Sequence, residues 1–293
     1  MQTPWGELAV SDAHVHLFSH GFFSMLARQK QSSVGDVMAT LGWPPAPEDP
    51  VELGAQWVSE LDRAGVQRAV MIASLPGDER SAAMAGAAYP DRLIPAAIVN
   101  PMDPAQASRL DGLRMICLFP AMQAYSLHSP EVAALLDATE CPVFVHCGVL
   151  SVGVRCKLAL PSPFDMRFSS PIDLHAIALR YPGRAFIVPH FGAGYWRESL
   201  MLADLCPNVY LDTSSSNSWM RLQPGDVDLA TVFRRTLAVT GAERLLFGTD
   251  SSFFPRGWHR AIFDQQIAAL QEARVTADAA RSMLAGNLLR LFP

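Results

Sequence analysis

Lysine is almost missing from this sequence. Only Lys30 and Lys157 occur, so the 23 basic residues are nearly all arginine, and they form no long basic run. The formal net charge is -5. A nucleic-acid-binding surface needs concentrated positive charge, so this composition argues against a nucleic-acid partner and favours a small-molecule substrate.

Cysteine patterns that would stabilise a fold are missing as well. The five cysteines are an odd number and include no C-x-x-C pair, which argues against a disulfide framework and against a structural zinc site. No basic segment leads into a long apolar stretch at the N-terminus, and no apolar run approaches the roughly 18 residues of a membrane span. We therefore expect a cytoplasmic protein that does not contact membranes.

Short apolar runs do recur, and they alternate with amphipathic stretches along almost the whole chain. Many of these stretches, such as "DPVELGAQWVSELDRAG" and "DPAQASRL", begin with Asp-Pro or Ser-Pro, which suits a helix N-cap followed by proline. Eight apolar strands, each followed by a helix, predict a parallel α/β fold of the (β/α)₈ or TIM-barrel type, with one domain over residues 1–293. The strand candidates are "ELAVSDAH", "QRAVMIAS", "LIPAAIVN", "GLRMICLF", "PVFVHC", "AFIVPH", "NVYLDTS" and "LLFGTD".

A doubly wound open sheet is the alternative fold. It would need a Gly-rich phosphate-binding turn after the first strand, and "SDAHVHLF" does not resemble one. Two features extend the simple barrel. A long irregular stretch from about Phe18 to Pro50 is typical of a functional lid or rim, and a last helix, "TADAARSMLAGNLLRLF", follows the eighth unit.

Imidazole and carboxylate side chains follow the ends of four predicted strands. Strand 1 ends in His14 and His16, strand 5 in His146, strand 6 in His190 and strand 8 in Asp250. The C-terminal ends of barrel strands meet at one mouth, and strand 8 is the neighbour of strand 1. These side chains should therefore converge.

The residue types indicate a metal centre. Imidazoles and one carboxylate suit Zn²⁺, and Mn²⁺, Fe²⁺ or Co²⁺ would also fit. With a position left for water the arrangement is catalytic, because such an ion lowers the pKa of bound water and polarises a carbonyl. Asp12 precedes His14 by two residues and, by strand alternation, should point the same way. The alternative is a set of histidines satisfied by hydrogen bonds.

Several motifs together resemble the amidohydrolase superfamily, in particular its amidohydrolase-related branch. They are "DAHVH", "FVHCG", "PHFGAG" followed by "CPNVYLDTSS", "LLFGTDSSFF" and the closing "AGNLLRLF". The resemblance covers the whole chain. That branch contains decarboxylases similar to aminocarboxymuconate-semialdehyde decarboxylase and lactonases that act on cyclic esters, so the motifs are specific for the superfamily and poorly specific for a reaction.

The resemblance implies roles for individual residues. His14, His16, His146 and Asp250 correspond to metal ligands, whereas His190 contacts substrate or moves a proton without binding the metal. Asp250 and His190 are thus the expected catalytic residues. Members with two metal ions carry a bridging lysine or glutamate on strand 3 or 4, and neither strand offers one here, so one ion is expected. Relatives are often dimers, which leaves a homodimer open.

The segments after strands 5 and 7 supply candidates for substrate binding. Arg155, Lys157 and Arg167 follow strand 5, and we expect Arg155 and Arg167 to bind a substrate carboxylate. Each of these cations taken alone is more often a charge on the rim. Asp212 and "TSSSN" follow strand 7 and offer groups that bind substrate or support the catalytic residues.

Hydrolysis of an ester, lactone or amide bond of a small anionic substrate, through a metal-activated water, is the function these patterns favour. Asp250 would transfer protons and His190 would stabilise the developing oxyanion. Non-oxidative decarboxylation of an aromatic or unsaturated acid is the alternative, with His190 or Asp250 delivering a proton to carbon. A non-catalytic binding protein is disfavoured because every metal and acid–base position is filled.

Overall fold

The computed structural model describes residues 1–214 and 217–293. A short antiparallel hairpin, Gln2–Thr3 with Gly6–Glu7, comes first. Eight parallel strands then form one sheet in chain order. These strands, β1 to β8, are Ser11–Leu17, Arg68–Ala73, Leu93–Ile98, Met115–Leu118, Val143–Val145, Phe186–Val188, Val209–Asp212 and Leu245–Leu246.

The sheet closes between the segment that follows β8 and the first strand. Asp250 N donates to His14 O at 2.9 Å, and His16 N donates to Ser251 O at 2.7 Å. These bonds continue the parallel pattern round the barrel and make β8 the neighbour of β1. The predicted TIM-barrel fold is confirmed.

Helices cover the strands from outside and also lie across the mouth. None of the helices within residues 1–214 and 217–293 has the length and apolar content that a bilayer crossing requires. The α-helices of these ranges, α1 to α13, are His20–Lys30, Val34–Leu41, Pro50–Ala64, Glu79–Ala88, Pro120–Gln123, Pro130–Asp137, Gly153–Lys157, His175–Arg180, Trp196–Leu205, Leu229–Thr240, Arg260–Glu272, Ala277–Arg281 and Asn287–Leu291.

The strands are buried on both faces. In β2, Val70 and Ile72 belong to the apolar cluster inside the barrel, whereas Met71 and Ala73 belong to the cluster shared with the helices. All four side chains are inaccessible to solvent. A strand with no solvent face has no need of polar alternation, which explains the continuous apolar runs of the sequence.

The stretch from Phe18 to Pro50 is not irregular, and that prediction is wrong. It contains α1 and α2; Ser19 caps α1, and Ser33 with Asp36 forms a capping box at the start of α2. These helices pack against α7 in an apolar cluster of their own. We call residues 18–46 and 149–168 together the cap.

The predicted helix in "DPAQASRL" is also wrong, since only a 3₁₀ turn forms there, at Gln106–Arg109. The side chains of Asn100 and Asp103 accept hydrogen bonds from Met102 N and Ala105 N. Such local side-chain bonds to the backbone compete with a helical start.

Asp78 anchors the beginning of the cap to the loop after β2. Its carboxylate accepts from Ser19 Oγ and from Ser81 Oγ, both at 2.6 Å, and the residue is 5% exposed. Burial raises the pKa of Asp78 to about 6, against the lowering effect of the two hydroxyls. The folded protein therefore binds a proton here more tightly than the unfolded chain does.

We expect Asp78→Asn to remove one pH dependence of stability. Between the unfolded pKa of about 3.9 and the folded value, the native state binds more protons, so the free energy of unfolding falls as pH rises. A shift of about two pKa units corresponds to about 3 kcal/mol. Urea unfolding of both proteins from pH 4 to 7 should show the wild type losing about this much relative to the variant. A difference that stays constant across that range would contradict the assignment.

Candidate metal centre

Five side chains meet at the C-terminal mouth of the barrel. His14 and His16 lie on β1, His146 directly follows β5, and His190 and Asp250 lie just beyond β6 and β8. Ligand atoms of His14, His146 and His190 lie within 4.8 Å of one another, and so do those of His14, His16 and Asp250. We call these five residues the mouth cluster. His14 belongs to both triads and is therefore the centre of the mouth cluster.

Hydrogen bonds fix where the protons of the β1 histidines lie. His14 Nδ1 is 2.9 Å from Asp212 Oδ2, and a carboxylate only accepts, so this nitrogen carries the hydrogen. Ser74 Oγ donates its one hydrogen to Ile72 O, so it accepts from His16 Nδ1 at 2.8 Å. In the neutral imidazoles, both Nε2 atoms therefore carry lone pairs.

These lone pairs fit a cation. His14 Nε2 lies 3.3 Å from His16 Nε2, and Asp250 Oδ1 lies 3.7 and 3.3 Å from these two nitrogens. Three electron-rich atoms at such distances repel one another unless positive charge lies between them. His146 Nδ1 is buried with no hydrogen-bond partner in the described part of the chain. The donor set suits a divalent transition metal such as Zn²⁺.

The electrostatics of the cluster agree with this fit. Burial lowers the pKa of His146 well below the ordinary histidine value, and burial also lowers the pKa of His16. Burial favours a higher pKa for Asp250, but the surrounding imidazoles hold it below its usual range. For His14, burial lowers the pKa, but the carboxylates of Asp212, Asp250 and Asp12 together raise it above the ordinary value. Neutral His16 and His146 beside a charged Asp250 are in the states that metal ligands require.

The backbone is strained where two of these residues lie. His190 has φ 55° and Asp250 has φ 59°, in the left-handed region that costs a residue with a Cβ roughly 1–2 kcal/mol. Strain of this kind persists at functional sites when the surrounding structure holds it. Gly248 lets the segment after β8 approach closely, because a Cβ there would lie 2.9 Å from Asp212 Oδ1 and 3.0 Å from His14 Cβ.

Asp12 is not part of the cluster, contrary to the prediction from strand alternation. Its carboxylate accepts from Thr249 N, from Thr249 Oγ1 and from Trp258 Nε1, the last at 2.7 Å. The register of β1 against β2 shifts between Asp12 and Val15, which interrupts the simple alternation. Asp12 joins β1 to the segment after β8.

Ser214 connects two histidines of the cluster. Its Oγ lies 2.9 Å from His14 Nδ1 and 2.9 Å from His190 Nδ1. Asp212 Oδ1 accepts from the backbone N–H of Ser214 and so holds the turn after β7. The other two serines of "TSSSN", Ser215 and Ser216, lie outside the described residues.

Asp212→Asn is expected to weaken metal binding by roughly 10- to 100-fold. The carboxylate orients the His14 ring and adds electron density to it, and an amide of the same shape supplies neither charge nor a fixed acceptor. Titration with zinc against a competing chelator measures the change. Asp165→Asn, a change at a partly exposed carboxylate outside the cluster, is the matched control. An affinity for zinc equal to that of wild type would refute the supporting role of Asp212.

A cavity of about 610 Å³ opens above the cluster. Its wall is mainly apolar and comes from the cap, from the end of β4 and from the loop after β8, through Phe18, Phe22, Trp43, Phe119, Leu150 and Phe253. Phe119 stacks on His146 with 4.7 Å between ring centroids. The cavity thus combines a polar floor with aromatic walls, a common form of small-molecule site.

The two arginines predicted to bind substrate lie in different places. Arg155 lines the cavity, but its guanidinium donates to Pro161 O at 2.6 and 2.9 Å and to Gln29 Oε1 at 2.7 Å. Arg167 is 81% exposed, pairs with Asp165 at 2.5 Å and is not among the residues that line the cavity. Their roles in binding stay predictions.

Sequence reasoning missed two cavity residues in the loop after β8. Arg256 and His259 both line the cavity. The signal was available, since "FFPRGWH" leaves the mouth directly after Asp250. The cations expected to bind substrate all follow strand 5, so the loop after β8 supplied no candidate.

Comparison with known proteins adds a family and several structural neighbours. A family model described as "Amidohydrolase" matches residues 11–293. The 5-carboxyvanillate decarboxylase of Sphingomonas paucimobilis is 15% identical, with TM-score 0.63 over 98% of this chain and 99% of that one. A Pseudomonas putida protein assigned as a 2-pyrone-4,6-dicarboxylic acid hydrolase is 21% identical, with TM-score 0.58 over 98% of both chains.

Two further likenesses are informative in different ways. An amidohydrolase from Burkholderia multivorans, solved with bound zinc, is 15% identical, with TM-score 0.61 over 97% of this chain and 99% of that one. Protein FluG of Emericella nidulans is 32% identical over 87 residues, which are 30% of this chain. This chain therefore spans about a tenth of the length of that curated relative. At these low identities the structural likenesses show the fold.

Proposed function

The chain belongs to the amidohydrolase family, and on that premise we propose that it hydrolyses an ester, lactone or amide bond of a small anionic substrate with one divalent metal ion, preferably Zn²⁺. The ion's ligands would be His14, His16, His146 and Asp250. The observation that carries the proposal is the approach of two imidazole lone pairs and the Asp250 carboxylate to within 3.7 Å.

A divalent ion bound there would lower the pKa of a coordinated water and polarise a carbonyl. The chain supplies orientation and proton transfer. Asp212 and Ser74 hold the rings of His14 and His16 in one tautomer. The cap and the aromatic walls surround the reacting groups with apolar surface, which strengthens the electrostatic interactions among them.

Asp250 and His190 carry the acid–base chemistry in this proposal. The Asp250 carboxylate accepts a proton from the attacking water and returns it to the leaving group as the acyl bond breaks. His190 lies beside the centre of the cluster, with 5.0 Å between its ring centroid and that of His14. From there it stabilises negative charge on the carbonyl oxygen.

Decarboxylation of an aromatic or unsaturated acid is the second candidate, and the aromatic walls of the cavity favour it. Phe119 and Trp43 line the cavity, and aromatic side chains suit a planar ring. In this reaction the bond between the ring carbon and the carboxylate breaks, carbon dioxide leaves, and His190 or Asp250 gives a proton to that carbon. The decarboxylase of Sphingomonas paucimobilis has the same fold.

A parallel screen separates the two reactions. Zinc-loaded protein is offered lactones and esters, with proton release as the readout, and aromatic acids, with carbon dioxide release as the readout. We expect proton release that the double variant His14→Ala with His16→Ala lacks. Carbon dioxide release from aromatic acids without any ester or lactone cleavage would replace the proposal by its alternative.

A further inference from the structure

Arg256 is a partly buried cation at the cavity wall, and it forms no ion pair with a carboxylate of residues 1–214 and 217–293. Its Nη2 donates to Ser252 Oγ at 2.8 Å and to Asp250 O at 3.3 Å. Its Nε is buried without a partner, and Nη1 makes no hydrogen bond to any residue in the described ranges. No carboxylate oxygen of those residues lies within 4.0 Å of the guanidinium. Nη1 is therefore the nitrogen of this guanidinium whose donors are left for a ligand.

The charge balance of the cavity favours an anion beside Arg256. Lys157 also lines the cavity, and its Nζ lies 5.3 Å from the Trp43 ring and 5.9 Å from the Phe253 ring. Asp250 is the one carboxylate among the described residues of the wall, and it already faces His14 and His16. The cationic side chains of this half-enclosed cavity outnumber the anionic ones, so the cavity attracts a negatively charged ligand.

The cap holds Arg256 in place. The rings of Trp43 and Phe253 stack with centroids 4.0 Å apart and an interplanar angle of 9°. The Arg256 Cζ atom lies over the Phe253 ring at 4.6 Å, and since Trp43 covers one face of that ring, the guanidinium takes the other. A layered contact thus runs from the cap to the loop after β8, where cation–π attraction fixes the side chain.

We propose that Arg256 binds the anionic group of the substrate, and that Trp43 positions Arg256 through Phe253. The inference rests on the proposed function, because it assigns a specificity-determining residue to the same site. An N–H of the charged guanidinium, here on Nη1, forms a strong hydrogen bond to a carboxylate oxygen. Arg155, one of the two arginines expected from the sequence to bind substrate, directs three of its five N–H donors to Pro161 and Gln29.

The test measures binding and not turnover. Benzoate and its neutral analogue benzamide are titrated by calorimetry into zinc-loaded wild type, Arg256→Met, Arg256→Lys and the control Arg281→Met, an exposed arginine that does not line the cavity. Each protein is checked for zinc content and thermal stability. We expect Arg256→Met to weaken benzoate by about 10- to 100-fold, the scale of a hydrogen bond between charged groups, and to leave benzamide nearly unchanged. Arg256→Lys should weaken benzoate less, and Arg281→Met should have little effect.

The positioning role of Trp43 has its own readout. Trp43→Leu should weaken benzoate several-fold, and Trp43→Phe, which keeps a ring against Phe253, should restore most of the binding. If Arg256→Met does not fold, the lysine variant and the Trp43 pair still decide the matter.

Two results would overturn the inference: a wild type that does not prefer benzoate to benzamide, or equal benzoate affinity with and without Arg256. Failure of the proposed function is a separate result. A protein that binds benzoate through Arg256 yet cleaves no ester or lactone would refute hydrolysis alone. A protein that cleaves lactones while Arg256→Met leaves benzoate binding unchanged would refute the inference alone.

Discussion

His190→Asn is expected to lower turnover by roughly two to four orders of magnitude while the protein keeps about one divalent ion per chain. His190 has φ 55°, and asparagine is among the residues that tolerate this left-handed conformation. The shorter side chain keeps the backbone but removes the imidazole that would stabilise the carbonyl oxygen or donate a proton. The substitution therefore tests chemistry with little disturbance of the fold.

Elemental analysis measures metal binding, and steady-state kinetics measures the contribution of His190 to turnover. His146→Ala is the comparison, since it removes a proposed ligand and should release the ion. The geometry makes this a demanding test, because His190 belongs to a triad with His14 and His146 whose ligand atoms lie within 4.8 Å. If His190→Asn loses as much metal as His146→Ala, then His190 is a ligand and its assignment as an acid–base residue is wrong.

The barrel and the mouth cluster were predictable from the sequence for the same physical reason. Strands buried on both faces must be apolar, so a histidine or aspartate at the end of such a strand stands out against its neighbours. Parallel strands of a closed barrel place their ends together, which converts positions far apart in the chain, such as His14 and Asp250, into neighbours. Neither step requires knowledge of loops.

Features that depend on loop paths were out of reach. Ser74 fixes the His16 tautomer from 58 positions away in the chain, and nothing in "ASLPG" distinguishes that hydroxyl from any other. Arg256 reaches the cavity because the loop after β8 packs Phe253 against Trp43. Asp12 departs from simple alternation because β1 shifts register. These outcomes are decided by tertiary packing, which periodicity does not encode.

The cap shows a different limit, since its local signals were present. Ser19, Ser33 and Asp36 are good N-terminal capping residues, and Phe22, Leu26 and Met38 are buried in the cap. Prolines and glycines around "GWPPAPEDP" suggested an irregular segment. The apolar faces of α1 and α2 are too short to stand out in the sequence. They are buried because α7, from a distant part of the chain, packs against them.

One divalent ion per chain, removed entirely by His14→Ala with His16→Ala, is the second large effect that the structure predicts. Both Nε2 atoms belong to the group of lone pairs beside Asp250, so the double change takes away half of the four proposed ligands. In the two-metal enzymes that this sequence resembles, a lysine or glutamate from β3 or β4 bridges the ions. Those strands read "LIPAAI" and "MICL", and Arg114, just before β4, donates to Pro293 O instead.

Elemental analysis of protein purified without chelators checks this number, and catalytic rates should follow the metal content. The matched control is His128→Ala with His175→Ala, which removes two histidines outside the cluster and should leave the ion bound. Thermal unfolding of each variant separates loss of metal from loss of fold, because ligands that bind only the native state stabilise it. Two tightly bound ions per wild-type chain would contradict the assignment of a single metal site. One ion retained by the double variant would show that the centre is built on other residues, with His146 and His190 the next to be changed.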